Sequence, residues 1–88
     1  MTIGLVSGAV VTAHKDPSLK GLTLLVVQEL DIALSPTGIG LIVADSVGAG
    51  RGDIVLIAHG LAALHTERTA RRPIDASAIA IIDKLELD

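Results

Sequence analysis

The chain has 88 residues, a formal net charge of −3, and no cysteine, phenylalanine, tyrosine or tryptophan. Without cysteine, neither disulfides nor thiolate metal sites can staple the fold. An acidic balance without aromatic stacking platforms speaks against nucleic acid as a partner. The uncharged stretch at residues 32–44 is interrupted by Pro36, Gly38 and Gly40 and is too short to span a bilayer. The opening Met1-Thr2-Ile3-Gly4 runs into an alternating strand with no basic leader. A soluble protein of one domain, residues 1–88, with neither nucleic acid nor membrane as partner, is therefore expected. Half of the residues are hydrophobic and the mean hydropathy is +0.65. A body this small buries only roughly 60–65% of its unfolded surface. The surplus favours burial against other copies.

In chain order, residues 2–12 read as a strand, with Ile3, Leu5, Ala9 and Val11 on one face and Val6 and Val10 on the other. Asp16-Pro17-Ser18 is turn chemistry, and Gly21 closes that loop. Residues 22–30 form a second strand. Residues 31–40 hold Ser35-Pro36-Thr37-Gly38, which reads as a turn between antiparallel partners. Residues 41–45 and 54–59 are the third and fourth strands. Residues 60–72 turn alanine-rich and then basic, which predicts one short helical turn at Leu61–Leu64 followed by an exposed loop ended by Pro73. Residues 77–85 supply a last strand. Short strands, frequent turns and little helix argue for a small closed all-β barrel.

The segment V-A-D-S-V-G-A-G-R-G-D, residues 43–53, sets Gly48, Gly50 and Gly52 between two strands. Glycine permits positive φ there, so the segment predicts a tight, shaped loop. A phosphate cradle needs a helix after the glycines, and the dinucleotide and P-loop spacings are both absent. The histidines, His14, His59 and His65, lack the helical spacing of a zinc site, so no metal or other cofactor is expected. Asp45, Asp53, Asp75 and Asp83 follow apolar runs or turns, where aspartates usually accept from backbone amides. Two of Asp45, Asp53, His59 and Asp75 converging on one pocket would be needed for acid–base chemistry. No catalytic residue is expected.

Several blocks nevertheless occur together and in order. Met1-Thr2-Ile3-Gly4-x-Val6-x-Gly8-x-Val10-Val11 is followed by Lys15-Asp16-Pro17-Ser18-Leu19-x-Gly21 and by Leu24-Leu25-Val26-Val27-Gln28. Then come Ala44-Asp45-Ser46-Val47-Gly48-Ala49-Gly50-x-Gly52-Asp53, Arg72-Pro73-Ile74-Asp75-Ala76 and Ala80-Ile81-Ile82-Asp83. Over nearly its whole length the sequence resembles the EutN/CcmL family of bacterial microcompartment vertex proteins. The resemblance implies a five-stranded OB-like β-barrel without enzymatic activity. It implies assembly into a cyclic ring, a pentamer with a hexamer as the alternative, that closes the corners of a shell built from hexameric tile proteins. Such a shell lies in the cytoplasm. An OB-like ligand- or nucleic-acid-binding module and a hexameric shell-associated paralogue stand as the alternatives.

Assembly or pore contacts are expected at Val47, Gly48, Ala49, Gly50, Arg51 and Gly52, and at Leu61, Leu64, Arg72 and Asp75. One segment departs from the family pattern. Where the family shows a serine-rich G-S-S-A-R-like run, this chain has Gly60-Leu61-Ala62-Ala63-Leu64. Apolar packing should then replace hydrogen bonds at a subunit contact. Arg68, Arg71 and Arg72 are the nearby candidates to supply the missing charge.

Overall fold

β-Branched runs that alternate with small or polar residues favour pleated strands with one face inward. The computed structural model describes residues 1–87 and contains five such strands. They are β1 (Thr2–Ala9), β2 (Leu24–Leu30), β3 (Pro36–Asp45), β4 (Ile54–His59) and β5 (Ala76–Ile81). They close into a barrel in the order β1-β2-β3-β5-β4. Every neighbouring pair is antiparallel except β3 and β5, which meet in parallel through only two rungs, Ala44–Ser77 and Asp45–Ala78. This Greek-key order with one parallel seam is the OB-like arrangement.

The core is built from small and branched side chains: Val6, Leu25, Val27, Val43, Val55, Ile57, Ala76 and Ala78. Valine and alanine at this density leave a narrow lumen, and it tolerates only glycine at position 4. A Cβ on Gly4 would collide with Val27 Cγ1 and press on Ile57 Cδ1, both on side chains with no exposed surface. β1 therefore points Gly4 and Val6 inward, while Ile3 and Leu5 are half-buried on its outer face. Both faces of β1 carry apolar residues, and only the inner one is fully buried.

Several boundaries differ from the sequence expectation, including the start of β2, at Leu24 rather than residue 22. β1 stops at Ala9, and Val11 beyond it is 94% exposed. β5 stops at Ile81 rather than near Leu85. The largest difference lies between β2 and β3. The turn sits at Asp31–Ser35, and Pro36-Thr37-Gly38 belongs to the strand. Asp31 fixes that turn. Its carboxylate accepts the amides of Ala33 (2.9 Å) and Ser35 (3.0 Å), and Leu34 takes a left-handed φ of 63°. Proline is tolerated because it is the first residue of the strand, where no ladder donor is required. The end of this hairpin, residues 31–40, is exposed throughout and stands clear of the core.

The packing around Gly4 gives a direct test. Gly4→Ala should destabilise the chain by about 1–3 kcal/mol, the usual range for overpacking a filled core. Urea unfolding followed by far-UV circular dichroism measures it.

Candidate assembly site

β3 ends on Asp45, and the loop that follows is organised by that one carboxylate. Asp45 is buried, and its Oδ1 accepts the amides of Val47 (3.0 Å), Gly48 (3.0 Å) and Ala49 (3.2 Å). Asp53 closes the other end by accepting the Gly50 amide at 2.8 Å. The loop is tied to β1 by Gly52 N–H to Val6 O and Val6 N–H to Asp53 O, both 2.9 Å. Val47 and Ala49 are half-buried against the core. Gly48 (φ +76°) and Gly52 (φ +91°) occupy the left-handed region. Gly50 does not, so the expectation of a positive φ holds at two of the three glycines. Arg51 lies exposed at the loop tip.

Beside this loop runs a relay of hydroxyls that the sequence reading missed. Thr69 is completely buried and donates its hydroxyl to Ala63 O at 2.7 Å. A hydroxyl has one proton, so the rest of the relay has a fixed sense. Thr66 donates to Thr69 (2.6 Å), Ser46 to Thr66 (3.1 Å), and the buried Ser77 to Ser46 (2.8 Å). The relay fastens three pieces together: the end of β3, the start of β5 and the loop after β4. Its only sequence signals are a serine directly after Asp45 and the Thr66-x-x-Thr69 spacing.

The loop after β4 begins with a 3-10 turn, Gly60–Leu64. Ala63 is buried, Leu64 is half-buried and Leu61 is 81% exposed. The Asp75 carbonyl accepts the Gly60 amide at 2.8 Å, while Asp75 itself is exposed. His59 Nε2 lies 2.6 Å from Thr2 Oγ1. Asp45, Asp53, His59 and Asp75 thus have separate local duties. Among the described residues, no three His, Asp or Glu side chains group as a metal site would require.

Two of the basic residues have intramolecular work. Arg72 Nη1 donates to Ser18 O (3.0 Å) and Lys20 O (2.7 Å), and Arg68 Nη2 donates to Gly21 O (2.9 Å). They clasp the loop that contains the second 3-10 turn, Pro17–Leu19. Asp16 caps that turn. Its carboxylate accepts the Ser18 hydroxyl (2.6 Å) and amide (2.9 Å), which together hold its pKa below the usual aspartate value. Arg71, exposed and at φ 62°, is the one of the three nearby arginines with no side-chain hydrogen bond among the described residues.

Residues 1–83 match the family model described as "Ethanolamine utilisation protein EutN/carboxysome". The chain belongs to the EutN/CcmL family. Over its full length it is 44% identical to the carboxysome shell vertex protein CcmL of Synechococcus elongatus, covering 89% of that protein. The structure of Gloeobacter violaceus CcmL superposes with a TM-score of 0.93 at 41% identity, covering all of this chain and 91% of the other. The pentameric microcompartment shell protein GrpN of Rhodospirillum rubrum superposes with a TM-score of 0.86 at 41% identity, covering 100% and 99%. These relatives are structural shell proteins.

The loop geometry separates its glycines experimentally. A Cβ at Gly48 meets no atom within 4 Å but forces a side chain into left-handed backbone, so Gly48→Val should cost about 1–2 kcal/mol. Gly50→Ala has the same open space without the strained φ and should leave the unfolding midpoint nearly unchanged. Thr69→Val strands the Thr66 hydroxyl and the Ala63 carbonyl and should cost about 1–3 kcal/mol. Urea titrations of the three variants beside the wild-type chain measure all of these. For Asp16, carboxyl-carbon NMR titration should show the pKa rising back towards the ordinary value in Ser18→Ala.

Proposed function

We propose that this chain is a structural vertex protein of a bacterial microcompartment shell, with five copies closing into a ring. The observation that carries the reading is the end-to-end match, in sequence and in fold, to shell vertex proteins, one of which is described as pentameric. On this reading the chain acts as a structural element and not as an enzyme. It resides in the cytoplasm as part of the shell, with hexameric shell tiles as its neighbours. Flat hexagonal tiles alone cannot close into a polyhedron, so each corner requires a fivefold piece.

A ring of identical copies uses heterologous contacts, one patch of a copy meeting a different patch of the next until the rotation closes. Two features of this chain support such use. Its apolar side chains exceed what the barrel hides, and Met1, Leu61 and Leu87 stay largely in solvent. Its loops are also rigidly held, so contact surfaces are organised before assembly. The loop of Val47, Gly48, Ala49, Gly50, Arg51 and Gly52 belongs to the assembly surface in this reading, together with Leu61, Leu64 and Asp75. Leu61 replaces the serine of the family pattern and supplies an apolar contact. Arg72 contributes indirectly, by holding residues 18–20 in place.

Native mass spectrometry tests the reading. A five-membered ring of a 9.0 kDa chain should appear at about 45 kDa, and a monomer at micromolar concentration would overturn it. Leu61→Ser should weaken assembly about tenfold, the equivalent of losing one well-buried aliphatic contact. The circular dichroism spectrum should not change, because Leu61 carries none of the barrel core.

A further inference from the structure

The hydrogen-bond pattern of β3 shows that the barrel is only partly sealed. Asp45 N–H donates to Thr23 O across the β2–β3 ladder. The register below that bond pairs Leu25 with Val43 and Val27 with Leu41. In an antiparallel ladder, residues that exchange hydrogen bonds alternate with residues whose polar groups point away. The backbone groups of Val43 and Leu41 therefore face β2, and those of Ala44, Ile42 and Gly40 face the opposite way. Ala44 meets Ser77 of β5 there, as the seam requires. Ile42 and Gly40 meet no strand among the described residues. β3 thus presents an open edge at Gly40 and Ile42, and outward of Gly40 its register against β2 shifts.

Soluble proteins usually guard such an edge with lysines, prolines, bulges or extreme shortness. This one has Pro36 and a register shift against β2 at its outer end, between Gly40 and Pro36, and no lysine along the rest. The open edge lies wholly within residues 32–44, a stretch without charge in a chain in which 19% of residues are charged. It also carries apolar side chains. Ile39 is 54% exposed, and Ile42 on the outer face is 51% exposed. Beside them Gln28, Pro36, Gly38, Ile39 and Gly40 line a shallow groove of about 310 Å³, open where the glycines lack side chains. Unsatisfied backbone donors and acceptors, apolar side chains and an absence of charge coincide on one strip.

We infer that the open edge of β3, from Gly38 to Ile42, is the seat of a second copy of this chain. The neighbour supplies a different patch of its own, extending the sheet or covering its edge. The inference rests on the ring reading and adds the location of the contact. A second copy is the occupant because a relative that superposes over the whole of this chain is described as pentameric. The strip has no charge with which to recognise an ionic partner, and copies of the same chain meet at high local concentration in a ring. Edge-to-edge pairing also explains how an undefended strand avoids uncontrolled aggregation: in a closed ring every edge is taken.

Ile39→Lys and Ile42→Lys place charges on the strip without touching the core, and Ile32→Lys places one on the nearby turn, where the wild-type side chain is 69% exposed. Native mass spectrometry across a dilution series should show Ile39→Lys and Ile42→Lys dissociating at concentrations at least about 100-fold higher than wild type. Ile32→Lys should match wild type. Circular dichroism confirms that each variant keeps its strands. Hydrogen exchange supplies an independent readout on the unmodified chain, in which the Gly40 and Ile42 amides should be protected by at least about 100-fold in the assembled form. Free exchange at those two amides, or a wild-type ring in both edge variants, would overturn the location while leaving the ring intact. A monomeric wild type would overturn the ring reading itself.

Discussion

Barrel closure hangs on a short seam. Four of the five strand contacts are antiparallel ladders of ordinary length, but β3 joins β5 through two rungs only. Two parallel rungs contribute little by themselves, since parallel pairing is the weaker ladder geometry. What holds the seam is the chemistry packed around it. The Asp45 carboxylate gathers three amides on one side, Ser46 N–H reaches Ala78 O across it at 3.2 Å, and the hydroxyl relay ties Ser77 to the far loop. Each of these groups is buried or half-buried, so leaving one without a partner costs more than the bond itself contributes.

That arrangement accounts for the division of labour along the chain. Valines and alanines fill the lumen, and none needs a polar partner. Polar residues concentrate where the strands stop overlapping and backbone groups would otherwise be stranded. Among the described residues, no buried side-chain oxygen or nitrogen lacks a partner. The glycine loop, the most conspicuous feature of the sequence, serves this end. Its glycines allow the chain to double back so that successive amides converge on Asp45, and two of the three take backbone angles that other residues resist.

Much of the fold was legible because the strands are long enough and regular enough for side-chain alternation to mark them. The fourth strand, the second apart from its first two residues, the loop between the third and fourth, and the short turn at Leu61–Leu64 appear where expected. The start of β3 was not legible, since Ser35-Pro36-Thr37-Gly38 has the composition of a turn. The deciding interaction comes from Asp31, whose side chain draws the turn four residues upstream. Arg72 illustrates a different limit. A basic residue in an exposed loop looks available for partners, yet its guanidinium is committed to carbonyls 52 and 54 positions away in sequence. The hydroxyl relay was invisible for the same reason: serines and threonines 20 and 31 residues apart reveal nothing until the fold brings them together.

The two arginine clasps and the hydroxyl relay have a property in common. The clasps join a permanently charged guanidinium to neutral carbonyls, and the relay has no ionisable member. Among the described residues the only ion pair is Lys84–Glu86, fully out in solvent at the end of the chain. Ionic strength therefore finds almost nothing to screen in these fastenings, and mild acidification removes no proton acceptor from them. A shell component gains from joints of that kind, which keep their grip while ionic strength and acidity vary.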